Sequence, residues 1–346
     1  MSVRAFLAAA SLAATVVPVS AEPASDCGVD VDRYSQPPTA YLCDALRTIE
    51  QQALAVDMVD WPQIKRQVLA ETRDARSESD VHSAIAAALR RLDPHSRFLA
   101  PERARELRSA QTRVDRVQPN SETAIAYVDV RGFRGTDPGS MLAYVRALRE
   151  GIADAEAGRT CGYIVDLRRN PGGNMWPALL GVQPLLGTGV VGGFRTRDGS
   201  EAWWRLEPDR ASVADFVAIA ARNPLPRSDA AASRPVAVLL GTDTASAGEA
   251  VAIAFRERPR TRFFGWHTAG LTTANATFTM SDQAALVLAV ADMIDRRGNA
   301  YSRYVSPDEE TVAAIRVHRL HRYDDVTRLA AAEWLGSTPA CAAQLR

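Results

Sequence analysis

From residue 124 onward the chain alternates short apolar runs with amphipathic ones, and that alternation narrows the folds open to it. AIAYVDVRGF (124–133) reads as a strand. SMLAYVRALREGIADAEAG (140–158) reads as a helix, with Met141, Val145, Leu148 and Ile152 on one face and Gly158 as its stop. GYIVDLR (162–168) is a short apolar strand, followed by Arg169-Asn170-Pro171-Gly172-Gly173 and another helix. PVAVLLG (235–241), a helix opening at Ser246, and TRFFGW (261–266) repeat the pattern. Strands separated by helices pair in parallel, so an α/β fold is expected. VVGGFRTRDGSEAWWRL (190–206) is a hairpin with Asp198-Gly199 at its turn. ALVLAVADMID (285–295) suits either a strand or a buried helix, and Val326 to Leu335 reads as helical.

The part before residue 124 has a different texture. TAYLCDALRTIEQQALA (39–55) and SDVHSAIAAALRRL (79–92) carry apolar residues at three- and four-residue spacing. Val81, Ile85, Leu89 and Leu92 form one stripe, which Ser79 or Asp80 can cap. Pro94 ends that helix, because proline disfavours helical geometry in the residue before it. A second helix is expected from about Pro101 to Arg113.

The first residues read MSVRAFLAAASLAATVVPVSAEPAS. A basic start at Arg4, an apolar run from Ala5 to Val19 and the small residues Val19-Ser20-Ala21 predict a secretory leader over residues 1–21. It is too short for a membrane span, and no lipoprotein-type box precedes Cys27. The expected location is periplasmic or secreted. The four cysteines, Cys27, Cys43, Cys161 and Cys341, suit disulfides there. Of three pairings, Cys27–Cys43 with Cys161–Cys341 is the one expected. The net charge of +0 steers the protein toward neither nucleic acid nor an anionic membrane. No spacing resembles a metal site, and nothing requires a cofactor.

In open α/β sheets, sites gather outside the carboxyl ends of the strands. Two loops there follow apolar strands and open helices: Asn170–Gly173 and Thr242–Ser246. The Thr268–Asn275 loop is a third candidate. Ser246 can be an N-cap or a nucleophile. Gly172 and Gly173 allow a turn and also let backbone amides face a cavity without a Cβ in the way. Such amides, with that of Ala247, can hold the negative oxygen of a tetrahedral intermediate. A base must come from elsewhere. Lys65 is the only lysine and lies far from Ser246 in sequence. Among the histidines, His82 sits in a helical stripe, and His318 and His321 lie in an arginine-rich stretch. His95 follows Asp93-Pro94 at a helix end, and His267 follows a strand near the expected active edge.

TASAGEA (244–250), DLRRNPGG (166–173) and LDPHSRFLAPE (92–102), each after an element of the right kind, together resemble the S41 peptidases, the tail-specific or C-terminal processing proteases. GWHTAGLTTANATFTMSDQAALVLAVADMIDRRGNAY (265–301) resembles the later part of the same domain, so the likeness covers most of residues 80–310. The resemblance implies a layered core of β-sheet and helices like that of crotonase and Clp protease, behind an N-terminal helical segment. The implied organisation is a leader (1–21), a helical region (22–115) and a peptidase core with a helical tail (116–346). It also implies Ser246 as nucleophile, Ala247 with Gly172 or Gly173 as oxyanion hole, and a protein or peptide substrate, often cut near its carboxyl end.

Two features depart from the family's pattern. Roughly 30 residues separate Ser96 from the first core strand, too few for the PDZ domain common at that point. The family's usual lysine falls, in TAGL (268–271), on Leu271. Tricorn-type relatives instead use a histidine in the segment matching DPHS, which makes His95 the expected base. There a serine precedes the histidine, whereas here Pro94 does, so Asp93, Ser96 and Glu249 are all candidates to orient the ring. His267 is the alternative base. An inactive S41-like binding protein for peptides or small ligands, and an esterase using the same serine, are the competing readings.

Overall fold

A computed structural model describes residues 17–18, 27, 37–109, 124–158, 160–311 and 325–343. The leader expected over residues 1–21 lies outside these, apart from Val17–Pro18. The described residues divide into two compact units. One comprises the chain up to Ala110 together with 196–200 and 273–292; the other holds the rest.

The first unit is led by helices. Pro37–Gln52, Trp61–Glu71 and His82–Leu92 follow one another, and Pro101–Ser109 comes after a short strand, Arg97–Leu99. The helix ending at Leu92 buries Val81, Ile85, Leu89 and Leu92, the stripe read from the sequence. Its cap differs from expectation. Ser77 opens a 3-10 turn, Glu78–Val81, and the Asp80 carboxylate accepts from the Ser77 N–H at 2.9 Å. Trp61–Glu71 starts on Asp60, whose carboxylate accepts from Gln63 N–H at 2.9 Å, with proline in its first turn. Cys27–Cys43 closes the front of the first helix. Thr273–Thr279 and Ala285–Asp292 form an antiparallel pair, with a bulge between Ala274 and Asn275. Arg97–Leu99 pairs with Ala285–Val287 in the same sense. The run 285–295 is therefore a strand; it carries Ala, Val and Leu buried on both faces.

The second unit is built on a parallel sheet in the order Glu309–Glu310, Thr261–Gly265, Val236–Leu240, Gly162–Asp166, Ile125–Asp129. The central strands Val236–Leu240 and Gly162–Asp166 are buried at every position, which is why they read as unbroken apolar runs. Pro138–Ala157 leads into Gly162–Asp166 and starts on Asp137, whose carboxylate accepts from Ser140 N–H at 2.7 Å. Ala247–Phe255 leads from Val236–Leu240 to Thr261–Gly265. The C-terminal helix Val326–Ser337 lays Ala331 and Leu335 against Ile164, Ala237, Leu239 and Phe264. Arg168 ties its start to the sheet, meeting Asp166 and the helix-capping Asp325 at 2.6 Å each. Cys161–Cys341 ties its end. Both disulfides are those expected, and such bonds persist outside reducing compartments.

Beside the parallel sheet stands an antiparallel meander, Gly189–Thr196, Glu201–Glu207, Arg210–Val213 and Phe216–Ala220, of which the sequence reading foresaw only the first hairpin. Trp204, fully buried, packs edge-to-face on Phe194 and closes over Gly192, so it belongs to the core.

Candidate active site

Two loops leave the carboxyl ends of adjacent strands and are sewn together by Asn170 and Thr244, both buried. Asn170 donates from its amide to Val130 O (3.1 Å), accepts the Gly172 N–H on Oδ1 (3.1 Å) and accepts the Ala245 N–H on its own carbonyl (2.9 Å). Thr244 donates to Leu167 O (2.9 Å). The stitching brings Gly172 against the serine. A Cβ on Gly172 would stand 2.9 Å from Ser246 Cβ and Ala245 O and 3.3 Å from Ala247 N, and its φ of +98° suits glycine. Gly173 has φ +120°, and a Cβ there would strike Phe133 O at 2.0 Å.

Ser246 stands at φ +51°, ψ −110°, an uncommon conformation for a residue with a side chain. The turn is held from below by Glu249, which is buried one helical turn on. Its Oε2 accepts from Ser246 N–H (2.7 Å) and Leu271 N–H (2.9 Å), and its Oε1 from Thr268 Oγ1 (2.5 Å) and Gly270 N–H (2.8 Å). Burial pushes the Glu249 carboxyl up, and these four donors pull against that rise. Ala269 N–H also donates to Thr244 O (2.9 Å). The loop at 268–271 is thus fastened to the serine turn from both ends.

Gly172 N–H is taken by Asn170, but among the described residues no acceptor meets the N–H of Gly173 or of Ala247. Ala247 is the first residue of its helix, where an N–H has no partner within the helix.

His95 lies in the other unit and is 6% exposed. Asp93 shapes its loop by accepting from His95 N–H (2.8 Å), Ser96 N–H (2.7 Å) and Ser96 Oγ (2.5 Å). Among the described residues neither Asp93 nor Ser96 hydrogen-bonds the ring; they engage each other and backbone, while the Glu249 carboxylate accepts from donors of its own unit. The imidazole Nδ1 instead meets Thr273 Oγ1 at 2.7 Å. Thr273 lies in the Thr268–Asn275 segment that the sequence offered as a third candidate loop, but it opens a strand, and no pattern singled it out within that segment. Burial, followed by the charge of Arg97, lowers the His95 pKa to about 4.

His267 donates from Nδ1 to Thr268 O (2.9 Å) and makes tilted ring contacts with Trp266 and Tyr304. No hydrogen bond joins it to Ser246 among the described residues. Lys65 pairs with Glu50 at 3.0 Å, between two helices of the first unit. Among the described residues no group of acidic, histidine or cysteine side chains could hold a metal ion, and no helix is long and apolar enough to cross a membrane.

The model of peptidase family S41 matches residues 124–311, which is more than half of the chain and includes both loops around Ser246. The chain belongs to peptidase family S41. This S41 member is 26% identical over 287 residues to the nisin-resistance protein of Lactococcus lactis subsp. lactis, covering 82% of this chain and 87% of that one. A lipoprotein from Streptococcus agalactiae superimposes with a TM-score of 0.69 at 22% identity, over 87% of this chain and 96% of the other. The photosystem II D1 C-terminal processing protease does so with a TM-score of 0.57 at 16% identity, over 82% and 94%. These likenesses bear out the S41-type layered α/β core behind N-terminal helices.

Proposed function

We propose that this S41 member is a serine peptidase acting on exported proteins or peptides, with Ser246 as nucleophile and His95 as base. One observation carries the reading. Ser246 adopts φ +51° with Gly172 packed against it, and neither the N–H of Ala247, the next residue, nor that of Gly173, the residue after Gly172, has an acceptor among the described residues. A capping serine needs no such backbone, whereas a nucleophile presented at a sharp turn does.

In this mechanism His95 donates its Nδ1–H to Thr273, so that Nε2 carries the lone pair. Nε2 takes the Ser246 hydroxyl proton as Oγ attacks the scissile carbonyl carbon. The carbonyl oxygen gains the negative charge and is met by the Ala247 and Gly173 amides, with Gly172 supplying the close approach. His95 then returns the proton to the leaving amine, and water resolves the acyl-enzyme by the same steps. Thr273 does for His95 what a carboxylate does in a triad, by fixing the ring and its tautomer, and it adds no charge.

Leu271 in place of a lysine favours one competing reading, a binding protein on the same scaffold. Reaction of the mature protein with a fluorophosphonate probe separates the two. Labelling lost in Ser246→Ala and His95→Ala but kept in His267→Ala supports the dyad. Loss in His267→Ala with labelling kept in His95→Ala moves the base to His267. A folded wild-type protein that never labels defeats the peptidase reading. Parallel ester and peptide panels distinguish an esterase. The two disulfides and the leader read at residues 1–21 support a periplasmic or secreted site of action.

A further inference from the structure

A row of aromatic rings is attached to the same carboxylate that holds the serine turn. Trp266 follows the strand Thr261–Gly265, and its N–H still donates to Leu240 O at 3.2 Å. Its ring lies 5.4 Å from that of His267, which lies 4.9 Å from that of Tyr304. Tyr304 is 46% exposed, and Trp266 and His267 are each half-buried, so the row is open along one side. Its placement is rigid. Thr268 N–H donates to Val305 O (3.1 Å), and Val305 N–H donates to Thr268 Oγ1 (2.9 Å). That same Oγ1 donates to Glu249, which holds the Ser246 N–H. His267 and Tyr304 are therefore each one residue from a hydrogen-bonded hub that ends at the serine.

Core packing does not require this arrangement, since Tyr304 leaves nearly half of its surface in water. The rings are tilted to one another by 44° and 35° and offer a ridged apolar surface, and an aromatic or large aliphatic side chain gains most from packing on such a face. A cation could also use it.

We propose, resting on the peptidase reading above, that Trp266, His267 and Tyr304 form a subsite for a large apolar or aromatic side chain of the bound peptide. The subsite sorts substrates by a side chain near the scissile bond, while Ser246 and its amides act on the backbone. His267 serves here as the middle ring of the row, oriented by its bond to Thr268 O.

The test reads binding without turnover. The Ser246→Ala protein is titrated with fluorescein-labelled hexapeptides of Gly and Ala in which one position, walked along the peptide, is Phe, Leu, Lys or Ala. At one register, Phe and Leu peptides are expected to bind at least ~10-fold more tightly than the Ala and Lys peptides. Ser246→Ala/Tyr304→Ala loses that preference, and Ser246→Ala/Tyr304→Phe keeps it. Ser246→Ala/Tyr304→Gln repeats the loss with a side chain of comparable reach. Circular dichroism melting checks that each variant is folded. Equal affinity for all four peptides at every register, or a preference untouched by Tyr304→Ala and Tyr304→Gln, overturns the subsite. Failure of wild-type protein to label with a fluorophosphonate counts against the peptidase reading alone, because the binding series still decides the subsite.

Discussion

Acidification tests the burial of His95. A solvated imidazole takes up its proton near pH 6.5, whereas His95, 6% exposed and near Arg97, does so at about 4. The folded state thus binds this proton less readily than the unfolded chain. The stability tied to His95 is complete above about pH 6.5 and is lost as the pH falls toward 4. The displacement from 6.5 to about 4 corresponds to roughly 3 kcal/mol in all, about 2 kcal/mol of it lost by pH 5. Urea unfolding at steps from pH 7.5 to 4.5 measures this, with wild type compared against His95→Leu so that carboxylates common to both cancel. Wild type is expected to lose about 2 kcal/mol more than the variant between pH 7 and pH 5. Fluorophosphonate labelling of wild type should persist to the same low range, because His95 remains a free base there. Parallel stability curves for the two proteins, or a labelling limb centred near 6.5, would falsify the buried-base argument.

Other perturbations follow from the same contacts. Thr273→Val removes the hydroxyl on His95 Nδ1 and is expected to slow labelling roughly tenfold, with Thr273→Ser restoring the rate. Glu249→Gln turns an amide N–H toward at least one buried donor among Ser246, Leu271, Thr268 and Gly270; thermal unfolding should show a loss of about 1–3 kcal/mol together with slower labelling. Gly172→Ala puts a Cβ 2.9 Å from Ser246 Cβ at φ +98°, and labelling should fall to background in a protein that still folds. Replacing both Cys161 and Cys341 with serine should cost about 2–5 kcal/mol, read by denaturant titration.

The helices and parallel strands were legible because each carries its period or its apolar run in its own residues. The stripe from Val81 to Leu92 and the run at Val236–Leu240 are examples. The last meander strands, Arg210–Val213 and Phe216–Ala220, were not legible, since short antiparallel strands at an edge are neither long nor strongly patterned. Thr273 was missed for a related reason. A threonine that opens a strand carries no local mark, and its partner His95 is 178 residues away.

Ser246, its flanking alanines and the paired glycines are local features, and a strand-to-helix turn with small residues and φ-permissive glycine has few sequence solutions. To that extent the sequence by itself determined the layered α/β class and the family, while the pairing of the four cysteines, one of three the sequence allowed, was decided by the fold. Which glycine amide is left without an acceptor is another matter. It depends on Asn170 capturing Gly172 N–H and leaving that of Gly173. The Glu249 hub likewise depends on N–H groups from residues 270 and 271, brought in by a later strand. Those choices belong to tertiary structure, because a hydrogen bond between distant residues exists only after the chain has folded to bring both partners within about 3 Å.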